Sequence, residues 1–81
     1  MPVVLRFKGY RFFFYSNEGD PLEPVHVHVR KGKCLAKFWI KARVEVVESY
    51  GFNSNELSTL LRIIKQNAKL IERSWNEYFY T

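Results

Sequence analysis

His26 and His28 stand two residues apart in the run Pro24-Val25-His26-Val27-His28-Val29, and they are the only histidines in the chain. Imidazole titrates near neutrality, so it can give or take a proton, and its nitrogens also ligate metals. Side chains of a strand alternate between faces, so both rings project from one surface and the valines from the other. Upstream lie Glu18, Asp20 and Glu23; downstream lies the basic run Arg30-Lys31-Gly32-Lys33. One candidate chemistry is acid–base cleavage of a phosphodiester by His26 and His28, helped by Lys37. A metal site is the second candidate, since His26 and His28 with Glu18 or Asp20 would supply nitrogen and oxygen ligands. Two same-face histidines are also a common strand pattern, and the second half of a paired-His phosphoesterase motif is missing. The sequence therefore favours a contact surface over catalysis, with no resident metal and no cofactor expected.

The elements that must hold these residues follow from hydrophobic patterning. Residues 3–7 and 10–15 are β-branched and aromatic runs separated by Lys8-Gly9, which predicts a hairpin. A two-residue turn there sets Phe7 opposite Tyr10, Leu5 opposite Phe12, Val3 opposite Phe14 and Arg6 opposite Arg11. Residues 16–24 read as a loop from their Ser, Asn, Gly, Asp and Pro content. Residues 25–30 and 33–40 form a second hairpin around Lys31-Gly32, placing His26 opposite Lys37 and His28 opposite Leu35. Residues 43–47 add a short edge strand. After Gly51 the period changes: Asn53 with Glu56 matches a capping box. Leu57, Leu61, Ile64, Ala68, Ile71, Trp75 and Tyr78 then recur at helical spacing, widened by Leu60 and Phe79. The spacing predicts one long helix, bent or broken near residues 72–74, packed on the sheet in preference to a coiled coil. The expected fold is α+β: two β-hairpins giving a four- to five-stranded antiparallel sheet, then one long C-terminal helix on one face, as a single domain over 1–81.

One helix covers one sheet face, expected to be that of Val3, Leu5, Phe12, Val27 and Phe38. The other face then displays Arg6, Arg11, Phe13, Tyr15, His26, His28, Arg30, Lys37 and Trp39, with Lys33 in the basic run of the adjoining hairpin. An exposed mixture of aromatic and cationic groups implies an occupant: a second copy of the chain, another protein, or RNA or DNA. Aromatics on an open sheet stack on unpaired bases while Arg and Lys neutralise phosphates. The aromatic-glycine signature of the common RNA-recognition sheet is absent. A symmetric homodimer burying Phe13, Tyr15 and Trp39 satisfies the same surface.

Composition bounds the class. The chain has 81 residues, 47% hydrophobic and 17% aromatic, with formal charge +5, so it is expected to fold as one small basic domain. Its single cysteine, Cys34, excludes an internal disulfide, fits a reducing cytoplasm, and reads as a small buried hydrophobe. No run is long enough to span a membrane, and the Met1-Pro2 start lacks a signal-peptide layout, so a cytoplasmic location is expected. Pro2 does not read as the amino-terminal base of a small tautomerase, because a hairpin follows it where those enzymes place a helix.

Several stretches carry a family resemblance. Arg11-Phe12-Phe13-Phe14-Tyr15-Ser16-Asn17-Glu18, Pro24-Val25-His26-Val27-His28-Val29 and Ala36-Lys37-Phe38-Trp39, with Gly51-Phe52 and Trp75-Asn76-Glu77-Tyr78-Phe79, resemble a small bacterial family, the domain of unknown function 4160 group. The resemblance spans nearly the whole chain and implies no established activity. It does imply an operon context in which the neighbour is another small uncharacterised protein, and hence a toxin–antitoxin-like pair. The basic open face would then serve RNA, or receive the partner.

Overall fold

β1 (Val3–Phe7) and β2 (Tyr10–Phe13) join through Lys8-Gly9, where both residues take positive φ, 47° and 87°. Such a turn matches the right-handed twist of its strands, and it closes on Phe7 opposite Tyr10. β3 (His26–Lys31), β4 (Cys34–Ile40) and β5 (Val44–Tyr50) follow, and the five strands form one antiparallel sheet in the order β1-β2-β3-β4-β5. The computed structural model describes residues 3–15, 24–40 and 43–79. The expected loop 16–24, with Glu18, Asp20 and Glu23, lies outside the described residues except for Pro24.

Two registers differ from expectation. Val3 faces Phe13, not Phe14, because the pairing shifts by one between Val3 and Leu5. In the second hairpin the turn is Gly32-Lys33, and Lys31 faces Cys34. Gly32 has φ 59°, and a two-residue turn that needs glycine at its first central position puts Gly32 there, not second. The register moves by two: His26 faces Trp39, His28 faces Lys37, and Arg30 faces Leu35. An even shift keeps every side chain on its expected face. The fifth strand is also longer than the expected 43–47. Its pairing passes from Lys37–Glu48 to Phe38–Val46, so Val47 is an extra residue. This bulge re-aims the strand, putting Glu48 and Tyr50 on the face of Lys37 and Leu35.

The long C-terminal helix is in fact two: α1 (Ser54–Gln66) and α2 (Ala68–Phe79). α1 opens with the expected capping box, Asn53 Oδ1 accepting from the Glu56 N–H at 2.8 Å and Glu56 Oε1 accepting from the Asn53 N–H at 3.0 Å. Its end is Asn67, not residues 72–74. The Asn67 backbone N–H is shared between the carbonyls of Ile63 and Ile64, both at 3.1 Å, and Nδ2 donates to Ile63 O at 2.8 Å. Asparagine competes for backbone groups in this way and ends helices. Its own carbonyl then accepts from the Ile71 N–H at 3.0 Å, starting α2.

Leu60, Ile63 and Ile64 from α1 and Ile71 and Trp75 from α2 are buried with Phe12, Val27, Val29, Ala36 and Phe38. This is the expected helix-covered face, except that Val3 is exposed. The buried stripe also differs: Leu57, Leu61 and Ala68 are half-buried and Tyr78 is exposed, because the break at Asn67 lets each helix choose its own facing side. Phe14, just past β2, meets Trp75 edge-on with ring centroids 5.2 Å apart. No helix among the described residues is long and apolar enough to cross a membrane.

Candidate functional site

Three register rows cross the face that the helices leave uncovered. The first is Arg6, Arg11 and Arg30 on β1, β2 and β3, continued by Leu35 and Tyr50 on β4 and β5. The second is Phe13, His28, Lys37 and Glu48. The third is His26, Trp39 and Glu45. Adjacent rows lie about 7 Å apart, two residues along a strand.

The aromatic members close on one another. His28 stacks on Phe13 with centroids 5.6 Å apart, and the Tyr15 ring stands edge-on to His28 at 4.5 Å. His26 lies 5.3 Å from His28, 5.5 Å from Trp39 and 4.9 Å from Trp75. Lys37 Nζ sits over Trp39, 5.0 Å from the ring centroid. As a result His26 is 0% exposed and His28 7%, and Phe13 is buried. The expectation of two displayed histidines beside open aromatics is corrected here. They share the helix-free face, but they form a small second cluster against it. The aromatic area that a homodimer was expected to bury is, for Phe13, already covered within one chain.

His26 Nδ1 lies 2.9 Å from the Pro24 carbonyl oxygen. A carbonyl only accepts, so Nδ1 is the donor and the ring orientation is set by the backbone at the start of β3. His26 thus bridges the helix layer, through Trp75, to the opposite face, through Trp39 and His28. His28 is the histidine that reaches a cavity. A cleft of about 300 Å³ is lined by Tyr15, His28, Lys37, Glu48 and Tyr50, together with Leu35, Ala36 and Ser49. Lys37 and Glu48 are cross-strand partners on its floor.

The expected site residues divide accordingly. His28 and Lys37 meet at the cleft, and His26 stands behind them. Arg6, Arg11 and Arg30 form the cationic row. Trp39 holds Lys37, and Lys33 is exposed in the turn. Glu18 and Asp20 lie outside the described residues, among which no group of three His, Cys, Asp or Glu side chains could hold a metal. Glu48 and Tyr50 were missed, because the strand expected over 43–47 stopped short of them. The pattern Val44-Glu45-Val46-Val47-Glu48 held a clue, since adjacent valines break a strict alternation. Away from this face, the Tyr10 hydroxyl donates to Glu56 Oε2 at 3.2 Å. Burial, and then this hydrogen bond to a carboxylate, raises the phenol above its ordinary range.

The family model described as Domain of unknown function (DUF4160) matches residues 9–76 of the 81. The chain belongs to this family. The matched span of this DUF4160 chain runs from the first turn into α2 and holds both histidines, Lys37, Glu48 and Tyr50. No curated protein and no solved structure matches the chain.

Proposed function

We propose that the chain is a small basic binding module, one half of a toxin–antitoxin-like pair, that takes single-stranded nucleic acid on its helix-free sheet face. The row Arg6, Arg11 and Arg30 carries this reading. Like charges directly opposite across neighbouring strands destabilise a sheet, and here three guanidiniums follow one another across three strands. Phosphates relieve that repulsion and suit the planar guanidinium fork. The operon context implied by the family resemblance adds a small neighbour-encoded protein as partner and a cytoplasmic setting.

Titration of a short labelled oligoribonucleotide against salt tests it. Single strands lose affinity with a log–log slope of about −0.7 per phosphate neutralised, so three arginines predict a slope of about −2. Arg11→Ala should reduce it by about one contact. Affinity that is flat in salt removes the proposal.

A second reading, a small ribonuclease, draws support from His28, Lys37 and Glu48 lining one cleft. There a base, a cation and a carboxylate face the same volume, and His26 orients behind them. Cleavage of end-labelled RNA by the native chain and none by His28→Ala is the expected pattern. Intact RNA with the native chain, or equal cleavage by the variant, excludes it.

A further inference from the structure

We infer that the cleft over Lys37 and Glu48 is a nucleobase subsite that selects guanine; this rests on the nucleic-acid reading above. The cleft's volume of about 300 Å³ admits one base. Tyr15 and Tyr50 line it, and Tyr50 is 73% exposed although it is a large aromatic side chain. Base–aromatic stacking is indifferent to base identity. Selection comes from the floor. Lys37 and Glu48 are opposite charges on directly paired positions, yet no ion pair joins them among the described residues, and Lys37 Nζ rests over Trp39 instead. Both charges are therefore available to a ligand.

An ammonium beside a carboxylate offers donors next to acceptors. The Watson–Crick edge of guanine presents the complement: O6 accepts, and N1–H and N2–H₂ donate side by side. The carboxylate takes both donors and the ammonium takes O6. Adenine and cytosine each bring only one donor group to that edge, and uracil brings one N–H between two acceptors. A carboxylate is doubly satisfied by guanine alone. Arg30 lies one two-residue step along and one strand across from Lys37, about 8–9 Å away. A ribose spans that gap, which leaves the attached phosphate on Arg30.

The test is binding of the full chain to short oligouridines carrying one central guanosine, adenosine or cytidine at constant salt, repeated with Glu48→Gln. The guanosine oligomer should bind about tenfold tighter, the discrimination typical of one good bidentate contact. Glu48→Gln should equalise the three oligomers while keeping the salt slope. Glu48 is exposed at the sheet edge, and an unchanged melting curve of the variant confirms that its fold is kept. Equal affinities for the native chain with the salt slope intact overturn the guanine subsite and leave the arginine reading standing. Discrimination that survives Glu48→Gln also overturns it. Absence of salt-dependent binding to any oligomer overturns both.

Discussion

His26 makes ring contacts with Trp39, Trp75 and His28 while its Nδ1 donates to a backbone carbonyl, so its surroundings are those of a core residue with a polar tether. Truncating a fully buried ring leaves a cavity that the surroundings only partly fill. His26→Ala should therefore lower the unfolding free energy by about 2–4 kcal/mol, read as a lower urea midpoint. A midpoint equal to that of the native chain would contradict the enclosed placement. Tyr10 makes a pH-dependent contribution. Burial and the Glu56 carboxylate raise its pKa in the folded chain above the ordinary phenol value of about 10, so folding favours the neutral phenol. That stabilisation is complete below about pH 10 and is lost as pH rises through the raised folded value. Urea midpoints should fall across that alkaline range, and Tyr10→Phe should make the fall shallower.

The elements turn on a few residues whose backbone demands are unusual. Gly51, between β5 and α1, has φ 87°, and a Cβ there would stand 2.8 Å from Cys34 Sγ. Gly51→Ala should destabilise by more than about 1 kcal/mol through both strain and collision. Adding Cys34→Ala should recover the collision part alone, which a double-mutant comparison of melting would show. The same scale shows what was legible in the sequence. The alternation in residues 3–7, 10–13, 26–31 and 34–40 was enough to predict four strands and the correct face for His26, His28, Val27, Val29, Arg6, Arg11 and Arg30; the irregularity in β1 exchanges Val3 and Val4, pairing Val3 with Phe13 and packing Val4 against the core. Asn53 and Glu56 marked the helix start correctly. Asn67 was passed over because the apolar spacing continues across it, and only its backbone competition reveals the break. The hairpin register slipped by two because Lys31-Gly32 and Gly32-Lys33 are both plausible turn pairs by composition, and the glycine's place in the turn decides between them. His28 and Lys37 were recognisable as site candidates, but Glu48 depends on a bulge whose mark in the sequence is the adjacent pair Val46-Val47.

For the whole molecule, charge and stability pull against each other. Arg11 has an arginine on both flanking strands. Arg11→Ala should raise stability by a few tenths of a kcal/mol by removing two like-charge neighbours, and should weaken nucleic-acid binding at the same time. A variant that loses both stability and affinity would point to a packing role for the arginine. The two layers of the molecule are also joined at one ring. The chain has two tryptophans, Trp39 on the uncovered face and Trp75 on α2, and both indoles contact His26. An imidazole between two indoles makes the molecule its own optical gauge. Any ligand that displaces Lys37 from Trp39 alters one emitter directly and the other through the histidine they share. A change in intrinsic emission on adding RNA would then report events at the cleft without a label, and His26→Phe would uncouple the buried indole from the half-buried one.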